Sequence, residues 1–109
     1  MREYQQGRDK DYVLPRNVYM QTIWCIRDYE RLREMDDIVA KYRAQAIEKA
    51  LDEIPDEYRE GLMDNITSHD RYEAFAHENT WKVWKQRFIY HAANNLGINI
   101  GGVNEKTKD

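Results

Sequence analysis

Almost nothing in the middle of this chain would interrupt a helix. The sequence holds only two prolines and five glycines, and three of those glycines lie beyond residue 96. Inside a helix a proline costs about 3 kcal/mol and a glycine about 1 kcal/mol relative to alanine. A chain that leaves both out of its interior is committed to helices, and the fold class expected is all-α, a small helical bundle. With 109 residues it suits one domain and is too short for two comfortable ones. Tyrosine and tryptophan supply much of the apolar bulk, which favours a folded chain over a disordered one.

Taken in order, residues 1–13 are polar, mixed in charge and without period, and read as a flexible N-terminal arm. Leu14-Pro15 opens a helix, because a proline's missing N–H would be unsatisfied in the first turn anyway. From there to Ile54 the residues Cys25, Tyr29, Leu32, Val39, Tyr42, Ala46 and Ala50 follow a three-and-four spacing. This is one long N-terminal helix or a helix pair broken near Met35-Asp36-Asp37, where either aspartate could cap a second helix. The stripe through Cys25, Tyr29, Leu32, Val39 and Tyr42 is long for a monomer to cover, so a homodimer through residues 16–53 is expected. Pro55 begins the next helix, with Asp56 and Glu57 in its first turn, where acids complement the helix dipole. A short segment RYEAFAH follows, with Tyr72 and Phe75 directed inward at i, i+3 spacing. The domain expected is a single helical unit over 14–97, followed by a flexible tail over 98–109.

The last helix is the best bounded. Asn79 and Thr80 are capping types at its start, and Gly97 suits the left-handed residue that closes it. At about 100° per residue, Trp81, Trp84, Phe88, Ala92 and Leu96 form a core-facing stripe, with the stem of Lys85 among them. Lys82, Gln86, Arg87, Tyr90 and Asn94 fall on the other side, together with Val83. Such a set of long donors is the chemistry of a helix laid on double-stranded DNA: Arg87 and Gln86 to read base edges, Lys82 to hold phosphate. It is also the chemistry of an ordinary solvated helix face.

Charge is unevenly placed. The formal net charge is −3, which argues against wholesale nucleic-acid coating. Nine acids between Leu51 and Asn79 face only Arg59 and Arg71, whereas Thr80–Gly97 holds Lys82, Lys85 and Arg87 and no acid. The single cysteine, Cys25, sits in an apolar run as a structural thiol and fits a reducing cytoplasm. No run is long and apolar enough for a membrane. There is no Gly-rich phosphate loop, paired-cysteine motif or HExxH, and His69, His77 and His91 are scattered. Neither an enzyme nor a metal or cofactor site is expected.

The run IPDEYREGLMDNI followed by TWKVWKQRFIYHAANNLGI resembles the C-terminal half of small phage and prophage transcriptional activators of the RinA/ArpU type. Those look like the helix-turn-helix of a sigma factor's promoter-reading region. The positions carrying the likeness are Ile54-Pro55-Asp56, Thr80, Trp84-Lys85, Arg87-Phe88 and Leu96-Gly97. The opening LPRNVYMQTIWCIRDYERL looks like short proteins of clostridial mobile elements. The resemblance implies a mobile-element-encoded, DNA-binding transcriptional regulator whose helix-turn-helix occupies 54–97. That unit is degenerate here, because SHDRYEAFAHEN stands where the family has a supporting helix. The other reading is a non-catalytic helical module for protein interaction or dimerisation, with the last helix as ordinary packing.

Overall fold

The first helix starts where the sequence places it. Pro15 has φ −56°, and the Tyr19 N–H donates to its carbonyl at 2.9 Å. The computed structural model describes residues 10–69 and 71–98. Within them the chain makes a 3-10 turn at Lys10–Tyr12, five α-helices and no strand, an all-α bundle. Helix α1 (Arg16–Arg27) buries Val18, Tyr19, Ile23 and Ile26. Thr22 shares that side because its hydroxyl donates to the Val18 carbonyl at 2.7 Å, which satisfies the buried hydroxyl. One residue, Asp28, separates α1 from α2 (Tyr29–Glu34).

The stretch expected to be one long helix or a pair is three helices: besides the interruption at Asp28, the chain breaks at Met35–Asp37. The backbone is extended at Met35 and Asp37. The Asp37 carboxylate accepts from the Ala40 N–H at 2.9 Å, capping α3 (Ile38–Asp52). Because of the break, α2 packs against α3. Leu32 is thereby buried, and the Tyr29 hydroxyl donates to the Glu48 carboxylate at 2.7 Å. The long stripe expected to need a partner is therefore folded on itself: Leu32 is interior, Cys25 and Tyr29 are half-buried, and only Val39 and Tyr42 remain exposed.

Helix α4 (Asp56–Ser68) follows Pro55 and ends at His69, which takes the left-handed conformation at φ 60°. Arg27, at the end of α1, secures that terminus. Its Nε donates to the Ile66 carbonyl at 2.8 Å and its Nη2 lies 3.3 Å from His69 Nε2. An arginine on the last carbonyls of a helix supplies donors that the helix itself lacks.

Residues 71–77 form no helix, contrary to the two turns expected for RYEAFAH. They lie over Trp81 instead. The Tyr72 ring stacks on the indole at 5.2 Å and 6°, and the Glu73 carbonyl accepts from Trp81 Nε1 at 2.9 Å. Tyr72 does point inward, while Phe75 touches the indole edge but stays exposed. The supporting helix of a helix-turn-helix is thus missing, and α4 reaches α5 through an irregular connection rather than a short turn.

Helix α5 (Glu78–Leu96) is the central element: it packs against α3, α1 and α4 and carries the 3-10 turn. It starts two residues before Thr80, capped by His77, whose Nδ1 accepts from the Asn79 N–H at 3.0 Å. It ends as expected at Gly97, φ 78°, with Gly97 N–H on the Asn94 carbonyl and Ile98 N–H on the Ala93 carbonyl. That is a Schellman closure, and only a residue without a Cβ takes the left-handed position freely. Ile98, assigned to the tail, packs against the core. Of the arm and the tail, residues 1–9 and 99–109 lie outside the described residues.

Candidate nucleic-acid interface on the last helix

A DNA-reading face on α5 needs Lys82, Gln86, Arg87, Tyr90 and Asn94 on one open ridge. The bundle does not assemble that ridge. A helix with neighbours on three sides buries far more of its circumference than a single stripe. Trp81, Phe88, Ile89, Ala92 and Ala93 are fully enclosed, so the apolar side is rotated toward Ile89 and Ala93 relative to the expected stripe. Trp84 and Leu96 are only half-buried.

Gln86 is the clearest correction. It is 4% exposed and belongs to the interior, so it is not available to a base edge. Arg87 is half-buried, with its Nε enclosed. Its guanidinium lies between two rings, 4.9 Å from the Tyr12 centroid and 5.4 Å from that of Trp84. A guanidinium held by two aromatic faces gains about 0.5–2 kcal/mol per face, depending on how far it is desolvated. Tyr90 is half-buried too, edge-on to Tyr12 at 5.1 Å and 83°. Lys82 is exposed but lies 3.3 Å from Glu78 one turn earlier. The first turn, where phosphate would sit, thus carries a compensating acid. Asn94 is exposed. Of the five, only Lys82 and Asn94 are open, and they are twelve residues apart.

Sequence reasoning missed Tyr12. It was assigned to the arm, yet it seats the N-terminal segment against α5 through Arg87, Tyr90 and His91. A tyrosine in a polar stretch just before a Leu-Pro helix start was the only signal, and it is a weak one. Ile38 was also missed. It is 85% exposed and joins Val39 (52%) and Tyr42 (53%) at the start of α3.

The histidines have structural places: His69 closes α4, His77 caps α5, and His91 lies against Tyr12 and Tyr90. Among the described residues no three His, Cys, Asp or Glu side chains come together as a metal-holding group, and no helix is long and apolar enough to cross a membrane. Cys25 lies in an open depression with Trp24, Asp28 and Arg43. Burial pushes its thiol up, against the lowering effect of Arg43, and Asp28 adds to the rise. A thiol kept protonated is a poor nucleophile. A second depression, lined by His69 and Arg71 with Glu73 and Glu78, mixes both signs of charge.

Comparison with family models, with curated proteins and with solved structures gives no match.

Proposed function

We propose that this chain is a non-catalytic helical module for protein interaction, and that it presents the start of α3 rather than α5. One contrast supports this reading. The polar side of α5 is largely taken up by packing, with Gln86 at 4% exposure. The apolar side chains Ile38, Val39 and Tyr42 are left outside together. Apolar residues scattered singly on a surface need no explanation, but adjacent ones on a rigid helix are what partners bind. Helix α3 is held firmly beneath them: the Tyr42 hydroxyl donates to the Asn95 carbonyl at 2.8 Å, and Asn95 Nδ2 donates to the Ala46 carbonyl at 3.1 Å.

Regulation of transcription through double-stranded DNA is the rival reading. On α5 it requires Tyr12 to leave Arg87 and Gln86 to leave the core. A salt titration of the full chain with duplex DNA separates the two. The module reading expects no binding that depends on α5. Binding that weakens with log salt, and that is reduced by Lys82→Ala with a slope lowered by about one unit, would overturn it in favour of DNA.

A further inference from the structure

We infer that the partner of the α3 patch is a second copy of this chain, docked antiparallel so that Ile38 of each copy covers Tyr42 of the other. This rests on the interaction-module reading and adds the partner and the register. The first observation is the patch itself: Ile38 is 85% exposed and Tyr42, one helical turn away on the same side, is 53% exposed. A pair at i and i+4 meets its own copy across a two-fold axis without any second surface being needed, the isologous contact of a C2 dimer.

The second observation is charge. Glu34, Asp36 and Asp37 stand at one end of the patch, and Lys41, Arg43 and Lys49 follow along α3. All six are exposed. Glu48, the one acid in the basic stretch, is held by the Tyr29 hydroxyl. Asp36, Lys41, Arg43 and Lys49 form no ion pair among the described residues. Parallel docking would lay acid on acid and base on base. In the antiparallel register that sets residue 38 over residue 42, residue 39 of one copy stands level with residue 41 of the other, and positions 37 and 41, four apart, share one flank of α3. The acidic end of each copy then lies beside Lys41 of the other, twice in each dimer. Complementary charge of this kind fixes orientation more than it adds affinity. The exposed apolar group is small, so the dimer is a weak, exchanging one.

Sedimentation of the full chain over a micromolar-to-millimolar series tests the proposal. The mass is expected to rise from monomer to dimer. Ile38→Glu is expected to remain monomeric, with an unchanged helical circular dichroism signal and melting temperature, because that side chain supports nothing in the monomer. Asp36→Lys and Lys41→Glu are each expected to weaken the dimer about two- to fivefold, the size of an exposed ion pair. Combined in one chain they are expected to restore most of the loss. A monomer at every concentration would overturn the proposal, and so would a dimer that survives Ile38→Glu. Neither result would touch the module reading, which stands or falls on the DNA titration.

Discussion

The benzene ring of Trp81 lies hard against Gly61. A Cβ built on that glycine would stand 2.7 Å from Trp81 Cη2 and 2.9 Å from Cζ3, closer than packed carbons come. The indole has nowhere to go: Tyr58, Tyr72 and Phe75 surround it at 4.8, 5.2 and 5.2 Å between ring centres. Gly61 sits in the middle of α4, where alanine would ordinarily be better by about 1 kcal/mol. Gly61→Ala is therefore expected to lower stability, because overpacking of about 1–3 kcal/mol outweighs the helix propensity gained. Chemical denaturation measures the sign. A more stable variant would mean that the indole can shift.

The two tryptophans of α5 are not equivalent. Trp81 is 0% exposed and gives its Nε1 hydrogen to the Glu73 carbonyl. Trp84 is half-buried, 6.0 Å from the Tyr58 ring. Trp81→Ala is expected to cost about 3–5 kcal/mol, the range for a buried large aromatic, and to release the 71–77 segment. Trp84→Ala is expected to cost clearly less. Parallel urea melts of the two variants decide it, and equal losses would contradict the account.

Asp37 starts α3 through its carboxylate, so Asp37→Ala is expected to cost about 0.5–2 kcal/mol, with Asp37→Asn close to wild type. Thermal denaturation of the three proteins checks the order. An unchanged Asp37→Ala variant would show that the break at Met35–Asp37 does not depend on the cap.

Tyr72 makes stability sensitive to alkali. Burial first, and then the nearby Glu78, pushes its hydroxyl up to about 12, above the ordinary tyrosine value of about 10. Between those values the unfolded chain releases the proton and the folded chain keeps it. Stability is then full below about pH 10 and falls as pH rises toward 12. Tyr29 is raised as well, by burial and by its hydrogen bond to Glu48, so Tyr72→Phe is expected to flatten the fall without abolishing it. Urea melts from pH 9 to 12 read the slope, and identical slopes in the two proteins would remove the claim.

The fold was legible because its boundaries are written in single residues with local chemistry. Pro15 and Pro55 open helices, Asp37 caps one and Gly97 closes one, and each acts on the backbone beside it. The candidate site was harder to read, because burial around α5 is decided by residues distant in sequence. A periodicity plot assigns one wet side to any amphipathic helix. Here α1, α3, α4 and the Tyr12 turn all meet α5, so Gln86 and Arg87 are covered although they plot as polar-face residues. The missing helix at 71–77 has a similar origin. Tyr72 and Glu73 satisfy Trp81, a partner eight or nine residues on, rather than a helical turn of their own. The lone interior glycine at 61 was the visible sign of a close approach, but nothing in the sequence said that Trp81 would meet it.

Gln86 lies inside the bundle, and no other position separates a packed α5 from an open one so sharply. Replacing it with glutamate keeps the shape and adds a charge, which makes Gln86→Glu the most direct measurement, with Asn94→Glu as the exposed control on the same helix. An ionised carboxylate enclosed in a bundle interior is disfavoured by several kcal/mol, whereas exposed substitutions change stability by about 0.5 kcal/mol or less. Urea denaturation at pH 7 is expected to show a loss of about 2 kcal/mol or more for Gln86→Glu, shrinking at acid pH as the carboxyl is protonated, and little change for Asn94→Glu. Equal, small effects at the two positions would place Gln86 on an open face and contradict the account.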